Sequence, residues 1–380
     1  MRPAVNRVLL CALVLLAFGA VLGGCRLKKK AKDPLGATSG MTAPGATGEA
    51  ALPAAPPLRD AAAKRGVKVG VALATWFFDH PHYAELARQQ YDSLTAENEM
   101  KWYAIEPQPG QFDFKAGDRL VAFAKENGMR VRGHTLVWHN QLAPYVKTLA
   151  GPELMRAMLN HVTGTVEHYR GQIEQWDVVN EAVGDDGELR KDSPFTALGQ
   201  GYIEAAFRAA RAEDPNARLY YNDYDIEDLE TPKSQGAYRL VKWLKDRHVP
   251  IHGMGFQMHL DPRRWPTSEV MQKTLEKFAA LGLDIELTEI DVPLGELPGT
   301  MEQKLAAQKE LMRGVVRACL AVPRCKGMTL WGLTDAHSWL KSPEWSHLRG
   351  NGPHLPLPFD ESYRAKPMHA GILEALAAPP

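Results

Sequence analysis

The sequence predicts an α/β fold, a single (β/α)8 TIM barrel, on three observations. Short apolar segments alternate with longer segments of helical periodicity eight times along the chain. No stretch repeats another, and about 320 residues follow the N-terminal segment, which suits one barrel of this class. Polar side chains also gather where the predicted strands end. Strands and helices in strict alternation build a parallel sheet with its helices packed outside it.

Each predicted strand is followed by a predicted helix. The fourth strand is the clearest, because Ile173, Val178 and Val179 suit a strand that is buried on both faces by helices. Gly128 ends the second helix, as glycine commonly does. The predicted strands lie at residues 68–73, 93–96, 130–137, 173–179, 218–222, 251–257, 284–289 and 326–333. The predicted helices lie at 83–90, 116–127, 152–169, 193–213, 232–247, 268–281, 302–320 and 368–377.

The first 57 residues are expected to lie outside the barrel. Two arginines precede an apolar run at 8–22, which is too short to span a membrane and ends in Leu-Gly-Gly-Cys25. This pattern is typical of a bacterial lipoprotein signal peptide over residues 1–24, with a lipid carried on Cys25; a chance cysteine is the alternative. Residues 25–57 begin with a basic cluster and continue as an Ala-, Gly- and Pro-rich linker, which leaves 58–380 for the barrel. We therefore expect an exported protein that is lipid-anchored to the bacterial cell membrane or outer membrane.

Composition narrows the class of ligand. The chain has 45 basic and 45 acidic residues, so no nucleic-acid partner is expected. Nine tryptophans and eleven tyrosines either fill the core or present flat faces to weakly polar ligands such as sugars. Two cysteines, Cys319 and Cys325, belong to the predicted barrel. Their separation of six permits a disulfide, which persists in an exported protein, and two buried thiols are the alternative.

Seven of the eight predicted strands end in side chains that can bind or react. Barrel enzymes carry their chemistry at the carboxyl ends of the strands, so these side chains predict one polar cleft on that face. A histidine or a carboxylate at a single strand end is commonly structural, but seven such ends are hard to explain by packing. The side chains are Glu97, Asn98 and Lys101; His134, Trp138 and His139; Asn180 and Glu181; Asn222, Asp223 and Tyr224; Gln257 and His259; Glu289 and Asp291; and Trp331, Asp335 and Trp339.

Two of these residues, Glu181 and Glu289, suit glycoside hydrolysis. Each ends an apolar strand, and no serine elbow, phosphate loop or cysteine lies near either of them. In that reaction one carboxyl protonates the leaving oxygen while a second attacks the sugar or activates water. Tryptophan faces could pack against the apolar side of a sugar ring. No cofactor and no metal are expected.

Five segments resemble glycoside hydrolase family 10, the endo-β-1,4-xylanases. They are 93–102 (SLTAENEMKW), 132–139 (RGHTLVWH), 176–181 (WDVVNE), 257–259 (QMH) and 288–291 (TEID), and the resemblance runs from residue 64 to about 373 in the family's order. It implies hydrolysis of internal β-1,4-xylosidic bonds in xylan with retention of configuration.

The resemblance also implies a role for individual residues. Glu181 would be the acid/base, Glu289 the nucleophile and Asn180 the residue that holds the 2-hydroxyl, while His259 and Asp291 would orient the nucleophile. Further substrate contacts would be Glu97, Asn98, Lys101, His134, Trp138 and Gln257 on the glycone side, Trp331 and Trp339 as a wall, and Tyr224 on the aglycone side. A bridge between Cys319 and Cys325 is implied as well. The expected partners are xylan and xylo-oligosaccharides, and a monomer is expected.

Three alternatives stay open at this point. A family-10 enzyme could prefer another β-1,4-glucan, which a comparison of polysaccharides would reveal. A cell-surface protein could keep the cleft for binding without turnover, which a reducing-sugar assay would reveal. A metal-dependent barrel hydrolase could use His134, His139 and His259, although the chain lacks His-x-His after the first strand. Residues 76–80 (WFFDH), 343–358 and Met368-His369 depart from the family's usual pattern, and 76–80 follow the first strand at the rim of the cleft.

Overall fold

A computed structural model describes residues 55–261, 264–295, 297–342 and 353–379. Eight parallel strands form a closed barrel in chain order, and the last strand pairs with the first. This confirms the prediction of a (β/α)8 barrel. The strands are β1 (Lys68–Leu73), β2 (Ser93–Ala96), β3 (Arg130–Val137), β4 (Gln175–Asn180), β5 (Arg218–Asp223), β6 (Gly253–Phe256), β7 (Asp284–Ile290) and β8 (Cys325–Leu330).

Helices connect the strands on the outside of the barrel. The amphipathic segments predicted as helices all contain one, and the structure adds two short helices, α1 and α3, that the sequence did not predict. The helices are α1 (Leu58–Ala63), α2 (Pro81–Gln90), α3 (Trp102–Ile105), α4 (Lys115–Glu126), α5 (Gly151–His168), α6 (Gly201–Glu213), α7 (Pro232–Asp246), α8 (Ser268–Ala279), α9 (Met301–Ala321) and α10 (Pro367–Ala377).

The helix predicted over 193–213 was wrong in its first part. Pro194–Leu198 form a separate 3-10 turn, and α6 begins only at Gly201. Between them Gly199 has a φ of 67°, a left-handed conformation that interrupts a right-handed helix. The Ser193 hydroxyl oxygen accepts a hydrogen bond from the N–H of Phe195 at 3.2 Å and so caps the separate turn.

Two predicted strands are longer than the observed ones because the backbone turns earlier. The sixth was predicted to reach residue 257, but β6 ends at Phe256, and Met258 has a φ of 62°. The eighth was predicted to reach 333, but β8 ends at Leu330, and Gly332 has a φ of 131°. Both turns lie at the carboxyl end of the barrel, where the chain leaves the sheet and the side chains of the site begin.

The inside of the barrel carries a column of buried polar pairs that ends beneath the site. Near the amino ends of the strands, the Arg130 guanidinium donates to both carboxylate oxygens of Glu286 at 2.8 and 2.9 Å. One layer above, Arg132 pairs with Asp177, and both side chains are 1% exposed. Removing one partner of such a buried pair costs about 3–5 kcal/mol, because the other charge stays buried. The paired charges therefore fix the layer on which the site rests.

A disulfide joins the end of α9 to the start of β8. The sulfur atoms of Cys319 and Cys325 are bonded, with 5.5 Å between the Cα atoms. Of the two alternatives that the sequence left open, the structure contains the bridge and not two free thiols.

The predicted N-terminal segments lie outside the described residues. Residues 1–54 contain the predicted signal peptide, Cys25 and almost all of the predicted linker, and residues 343–352 lie outside as well. The predicted domain boundaries therefore stay predictions. Within the described ranges, no helix is both long enough and apolar enough to cross a bilayer.

Candidate active site

Strand position and backbone hydrogen bonds bring both predicted glutamates to the same face of the barrel. Glu181 directly follows β4 and has a φ of 55°, and its N–H donates to the carbonyl of Asn222 at 2.9 Å. Glu289 lies next to the last residue of β7, and its N–H donates to the carbonyl of Gln257 at 2.9 Å. A non-glycine residue in the left-handed region costs of order 1–3 kcal/mol and is common at functional sites.

Asn222, at the end of β5, joins the two glutamates. Its side-chain N–H2 donates to Oε1 of Glu289 at 2.7 Å and to Oδ1 of Asn180 at 2.8 Å, and Thr288 donates to its Oδ1 at 2.7 Å. The side-chain N–H2 of Asn180 donates in turn to Oε1 of Glu181 at 3.0 Å. The two carboxylates are thus held in one network with defined donors and acceptors.

A second amide also holds Glu181. The side-chain N–H2 of Gln257 donates to Oε1 of Glu181 at 2.9 Å, so this oxygen accepts two hydrogen bonds. The other oxygen, Oε2, lies 3.9 Å from Nδ1 of His139. Burial lowers the pKa of His139, Glu181 opposes this and Arg190 adds to it, so the imidazole is neutral near pH 7. Glu181 therefore has one oxygen fixed by amides and one beside a neutral ring.

Glu289 is buried beside a charged histidine. Burial favours the neutral carboxyl, but His134 and the hydrogen bond from His259 outweigh it and lower the pKa of Glu289. Nε2 of His259 lies 3.2 Å from Oε2 of Glu289, and its Nδ1 lies 2.9 Å from Oδ2 of Asp291. Burial works against the cation, yet Asp291 and Glu289 raise the pKa of His259 to about 10. His259 is thus a cation that donates to both carboxylates, and the Nε1–H of Trp339 donates to Asp291 at 2.7 Å.

His134 connects Glu289 to the polar column inside the barrel. Its Nδ1 lies 3.1 Å from Oδ2 of Asp177 and 3.9 Å from Oε1 of Glu289. Burial favours a neutral Asp177, but Arg132 and His134 lower its pKa, so it is ionised and accepts from both. The ring of Trp331 packs edge-on to His134, with 5.2 Å between the ring centroids.

Four of the predicted glycone contacts lie together beside β2 and β3: Glu97 and Lys101, which are buried, and Asn98 and Trp138, which are half-buried. Nζ of Lys101 donates to Oε1 of Gln141 at 2.7 Å and to Oδ1 of Asn98 at 3.4 Å. The ammonium lies 5.0 Å from the ring centroid of Trp138, within the range of a cation–π contact. Burial raises the pKa of Glu97 to about 7, and Lys101 opposes this rise. The group therefore offers an ammonium, two amides and a carboxyl to hydroxyl groups.

Tyr224 lies on the far side of Glu181, next to two cations. Its hydroxyl oxygen accepts from Nη2 of Arg190 at 2.7 Å, and Nζ of Lys233 lies 3.0 Å from its ring centroid. Nε of Arg190 donates to the backbone carbonyl of Glu181 at 2.9 Å. Tyr224 is therefore tied to the backbone of the predicted acid/base.

Every predicted site residue from Glu97 to Trp339 lies at the carboxyl end of the barrel. Nζ of Lys101 lies 6.0 Å from the ring centroid of Trp331, which packs on His134, so the group around Lys101 adjoins the network of the two glutamates. Gln141 and Arg190 were not predicted from the sequence as site residues, and Asn222 was predicted to lie at the site without a role. Gln141 directly follows Trp138, His139 and Asn140, and this run of polar and aromatic residues after the third strand was the sequence signal that could have marked it. No group of three or more His, Cys, Asp or Glu side chains within the described ranges is placed to hold a metal ion.

Comparison with known proteins places this barrel in a family. The family model described as Glycosyl hydrolase family 10 matches residues 57–375. The chain is 39% identical over 327 residues to endo-1,4-beta-xylanase B of Thermotoga neapolitana, which covers 84% of this chain and 91% of that protein. It is 42% identical over 299 residues to an endo-1,4-beta-xylanase of Agaricus bisporus, with 78% and 86% covered. The chain belongs to glycosyl hydrolase family 10.

Solved structures of this family have the same fold. The crystal structure of native xylanase 10B from Thermotoga maritima matches with a TM-score of 0.78 at 39% identity, over 84% of this chain and 98% of that one. Xylanase 10B from Thermotoga petrophila, solved in complex with xylobiose, matches with the same score and identity, over 84% and 97%. Membership in glycosyl hydrolase family 10 confirms the prediction that the chain is a glycoside hydrolase.

Proposed function

We propose that this family-10 enzyme is a retaining endo-β-1,4-xylanase that cleaves internal β-1,4-xylosidic bonds in xylan. The observation that carries the proposal is the network around the two glutamates. Glu289 is held ionised by His259 and His134, and Glu181 is held by Asn180 and Gln257 at the other end of the same network. The names of the relatives, which are xylanases from bacteria and fungi, support xylan as the substrate.

In the first step Glu289 acts as the nucleophile. One of its carboxylate oxygens attacks C1 of the sugar, and the bond from C1 to the glycosidic oxygen breaks. Glu181 donates its proton to that oxygen, so the departing part of the chain leaves as an alcohol. The product is a glycosyl ester on Glu289 together with an ionised Glu181.

In the second step Glu181 acts as a base instead of an acid. The ionised carboxylate removes a proton from water, and the water oxygen attacks C1 from the side that the leaving group vacated. The ester bond breaks, Glu289 regains its carboxylate, and Glu181 is protonated again. Two inversions at C1 give net retention.

The surrounding side chains hold the sugars during these steps. Asn180 uses one amide hydrogen on Glu181, and we propose that the amide also binds the 2-hydroxyl of the reacting sugar. His134, Trp138 and Gln257 line the glycone side with the group of Glu97, Asn98 and Lys101, and Tyr224 lies on the aglycone side.

The preference for xylan over a glucan is assigned to the two tryptophans after β8. Xylose lacks the hydroxymethyl group that glucose carries on C5. Trp331 packs against His134, and Trp339 is fixed by its hydrogen bond to Asp291, so both indoles are rigid. Steric exclusion by a rigid wall discriminates against a sugar with an added group. This discrimination is stronger than the one that follows from the loss of a single contact.

The proposed activity is tested by digesting purified xylan, cellulose and mixed-linkage β-glucan in parallel, with sizing of the products. We expect xylan to be cleaved much faster than either glucan and to give a ladder of oligosaccharides from the start, as cleavage of internal bonds requires. Release of single xylose units only, or equal rates on xylan and a glucan, would contradict the proposal. Binding of xylan without reducing-sugar release would identify a binding protein instead.

We further propose that the enzyme is anchored to the cell envelope through a lipid on Cys25. The support is the apolar run that ends in Leu-Gly-Gly-Cys25 and the basic cluster that follows. Expression of Cys25→Ser should move the protein from the membrane fraction to the soluble fraction, and its activity should persist because the linker separates anchor and barrel. A Cys25→Ser protein that stays with the membrane would contradict the anchor.

A further inference from the structure

The loop after β1 holds an indole in solvent at the mouth of the cleft. Trp76 is 54% exposed and lies in the 3-10 turn Thr75–Phe77 that follows the carboxyl end of β1. Among the described residues only two other large apolar side chains are comparably exposed, Tyr103 at 37% and Met301 at 39%. Since β1 lies between β8 and β2, this loop stands between the tryptophans after β8 and the glycone group after β2.

The backbone on both sides of Trp76 is fixed. The N–H and the hydroxyl of Thr75 donate to Oε1 of Glu99 at 2.5 and 2.9 Å. Phe77 stacks on His337, with 4.1 Å between the ring centroids, so the residue after Trp76 is held as well. A flat side chain on a rigid backbone loses little freedom when a ligand covers it.

Glu99 ties this loop to the residues that we propose to bind the glycone. One of its oxygens holds Thr75, and the other, Oε2, accepts from the N–H of Asn98 at 3.2 Å. Asn98 in turn contacts Lys101 and Gln141 through its side-chain oxygen. The position of the indole relative to the glycone group is therefore set by a short series of hydrogen bonds.

The second exposed aromatic residue belongs to the same corner of the cleft. Tyr103 lies two residues after Lys101, and its N–H donates to the carbonyl of Gln141 at 3.2 Å. Burial of part of the ring raises the pKa of its phenol, and the negative charges of Glu99 and Glu97 raise it further. Two of the three exposed large apolar side chains in the described ranges thus flank one group of proposed sugar contacts.

We infer that Trp76 and Tyr103 form a further sugar subsite, beyond the one lined by Glu97, Asn98 and Lys101, for the chain on the non-reducing side of the cleaved bond. The inference rests on the proposed function, because it takes the glycone group as the neighbouring subsite. A pyranose presents C–H groups on its ring faces, and these pack on an indole or a phenol. The subsite gains affinity from stacking, so it favours longer chains.

The test uses two substrates that differ by one sugar at the non-reducing end, 4-nitrophenyl β-xylobioside and 4-nitrophenyl β-xylotrioside. The wild-type enzyme should have the higher kcat/KM on the trioside, because its third xylose reaches Trp76. Trp76→Ala should lower the ratio of kcat/KM on the trioside to kcat/KM on the bioside about five- to tenfold, because one stacking contact is lost. Trp76→Phe should keep most of the ratio, because a flat ring remains, and Tyr103→Ala should lower it in the same sense as Trp76→Ala.

Met301→Ala is the matched control, because Met301 is the third exposed apolar side chain and lies at the start of α9, after β7. This variant should keep the wild-type ratio. A wild-type enzyme without preference for the trioside, or a Trp76→Ala enzyme with the wild-type ratio, would overturn the inference. If the wild type cleaves neither substrate, the proposed function has failed. Calorimetric titration with xylotriose and xylotetraose then tests the inference. The inference requires that the added sugar increases the binding affinity of the wild type and that Trp76→Ala removes this increase.

Discussion

Nδ2 of Asn222 lies 2.7 Å from Oε1 of Glu289 and 2.8 Å from Oδ1 of Asn180, so one amide group contacts both the proposed nucleophile and the residue that holds the proposed acid. The side-chain N–H2 of Asn180 donates in turn to Oε1 of Glu181. The two glutamates come from strands that lie far apart in the sequence, and this amide fixes one relative to the other. Its position explains how the nucleophile and the acid keep a constant separation while Glu289 forms and loses its bond to C1 and Glu181 loses and regains its proton.

The first prediction concerns this amide. Asn222→Ala should lower kcat about 10- to 100-fold, because a hydrogen bond to a charged group contributes roughly 1.5–3 kcal/mol. KM should change little, since Asn222 acts through Glu289 and Asn180 and is not assigned a contact with the sugar. Steady-state kinetics on an aryl xylobioside measures both constants.

The control for this prediction is Asn160→Ala, at an exposed position on α5. It should leave kcat and KM at their wild-type values. A folded Asn222→Ala enzyme with wild-type kcat, or one in which only KM rises, would show that the bridge does not position the nucleophile.

The second prediction concerns pH and the charge on His259. Asp291 raises the pKa of His259, so Asp291→Asn should lower it and leave Glu289 beside a neutral ring. Because His259 helps to lower the pKa of Glu289, that pKa should then rise. The nucleophile must be ionised, so the acid limb of kcat/KM should move to higher pH, and this is measured as a pH–rate profile.

Asp246→Asn is the matched control, because Asp246 pairs with Lys242 on the exposed face of α7. Its acid limb should coincide with that of the wild type. An unshifted acid limb in Asp291→Asn, or a shift to lower pH, would contradict the proposed effect of His259.

The third prediction concerns the wall formed by Trp331 and Trp339. Trp339→Ala removes both the indole and its hydrogen bond to Asp291, whereas Trp339→Phe removes the hydrogen bond and keeps a ring. The preference for xylo- over cello-oligosaccharides should narrow about tenfold in the Ala variant, mainly because xylo-oligosaccharides are cleaved more slowly. In the Phe variant the preference should stay within about twofold of the wild type. Values of kcat/KM on oligosaccharides of equal length test this, and an unchanged preference in Trp339→Ala would assign selectivity elsewhere.

The fourth prediction separates the two glutamates by chemical rescue. Glu289→Ala should lose hydrolysis by about 10⁴-fold or more, and azide should restore turnover by forming an α-glycosyl azide in its place. Glu181→Ala should still release an activated phenol in the first step, and azide should then give a β-glycosyl azide. Glu276→Ala, at an exposed site on α8, is the control that azide should leave unaffected. A β-azide from Glu289→Ala would exchange the two assigned roles.

The positions of the site residues could be predicted from the sequence because parallel strands all end on one face. Once residues 173–179 and 284–289 were identified as strands, Glu181 and Glu289 had to lie at the same end of the barrel. Polar residues after the neighbouring strands then belonged to the same cleft. This inference needs only strand order and direction, which the pattern of apolar residues supplies.

The contacts between side chains could not be predicted in this way. Gln141 pairs with Lys101, which lies forty residues earlier, and Arg190 reaches back to the carbonyl of Glu181 across a loop. Neither pairing leaves a periodic signal, because each depends on the path of an irregular loop. The break at Gly199 was missed for a related reason, since a single glycine within a helical pattern does not reveal its φ.

The central claim, that Glu289 forms a glycosyl ester which Glu181 helps water to cleave, is tested most directly by the configuration of the first product. Proton NMR during hydrolysis of 4-nitrophenyl β-xylobioside resolves the two anomers before they equilibrate in water. We predict that β-xylobiose appears first and that the α-anomer follows only through mutarotation. Initial release of α-xylobiose would mean a single displacement by water and would contradict the mechanism.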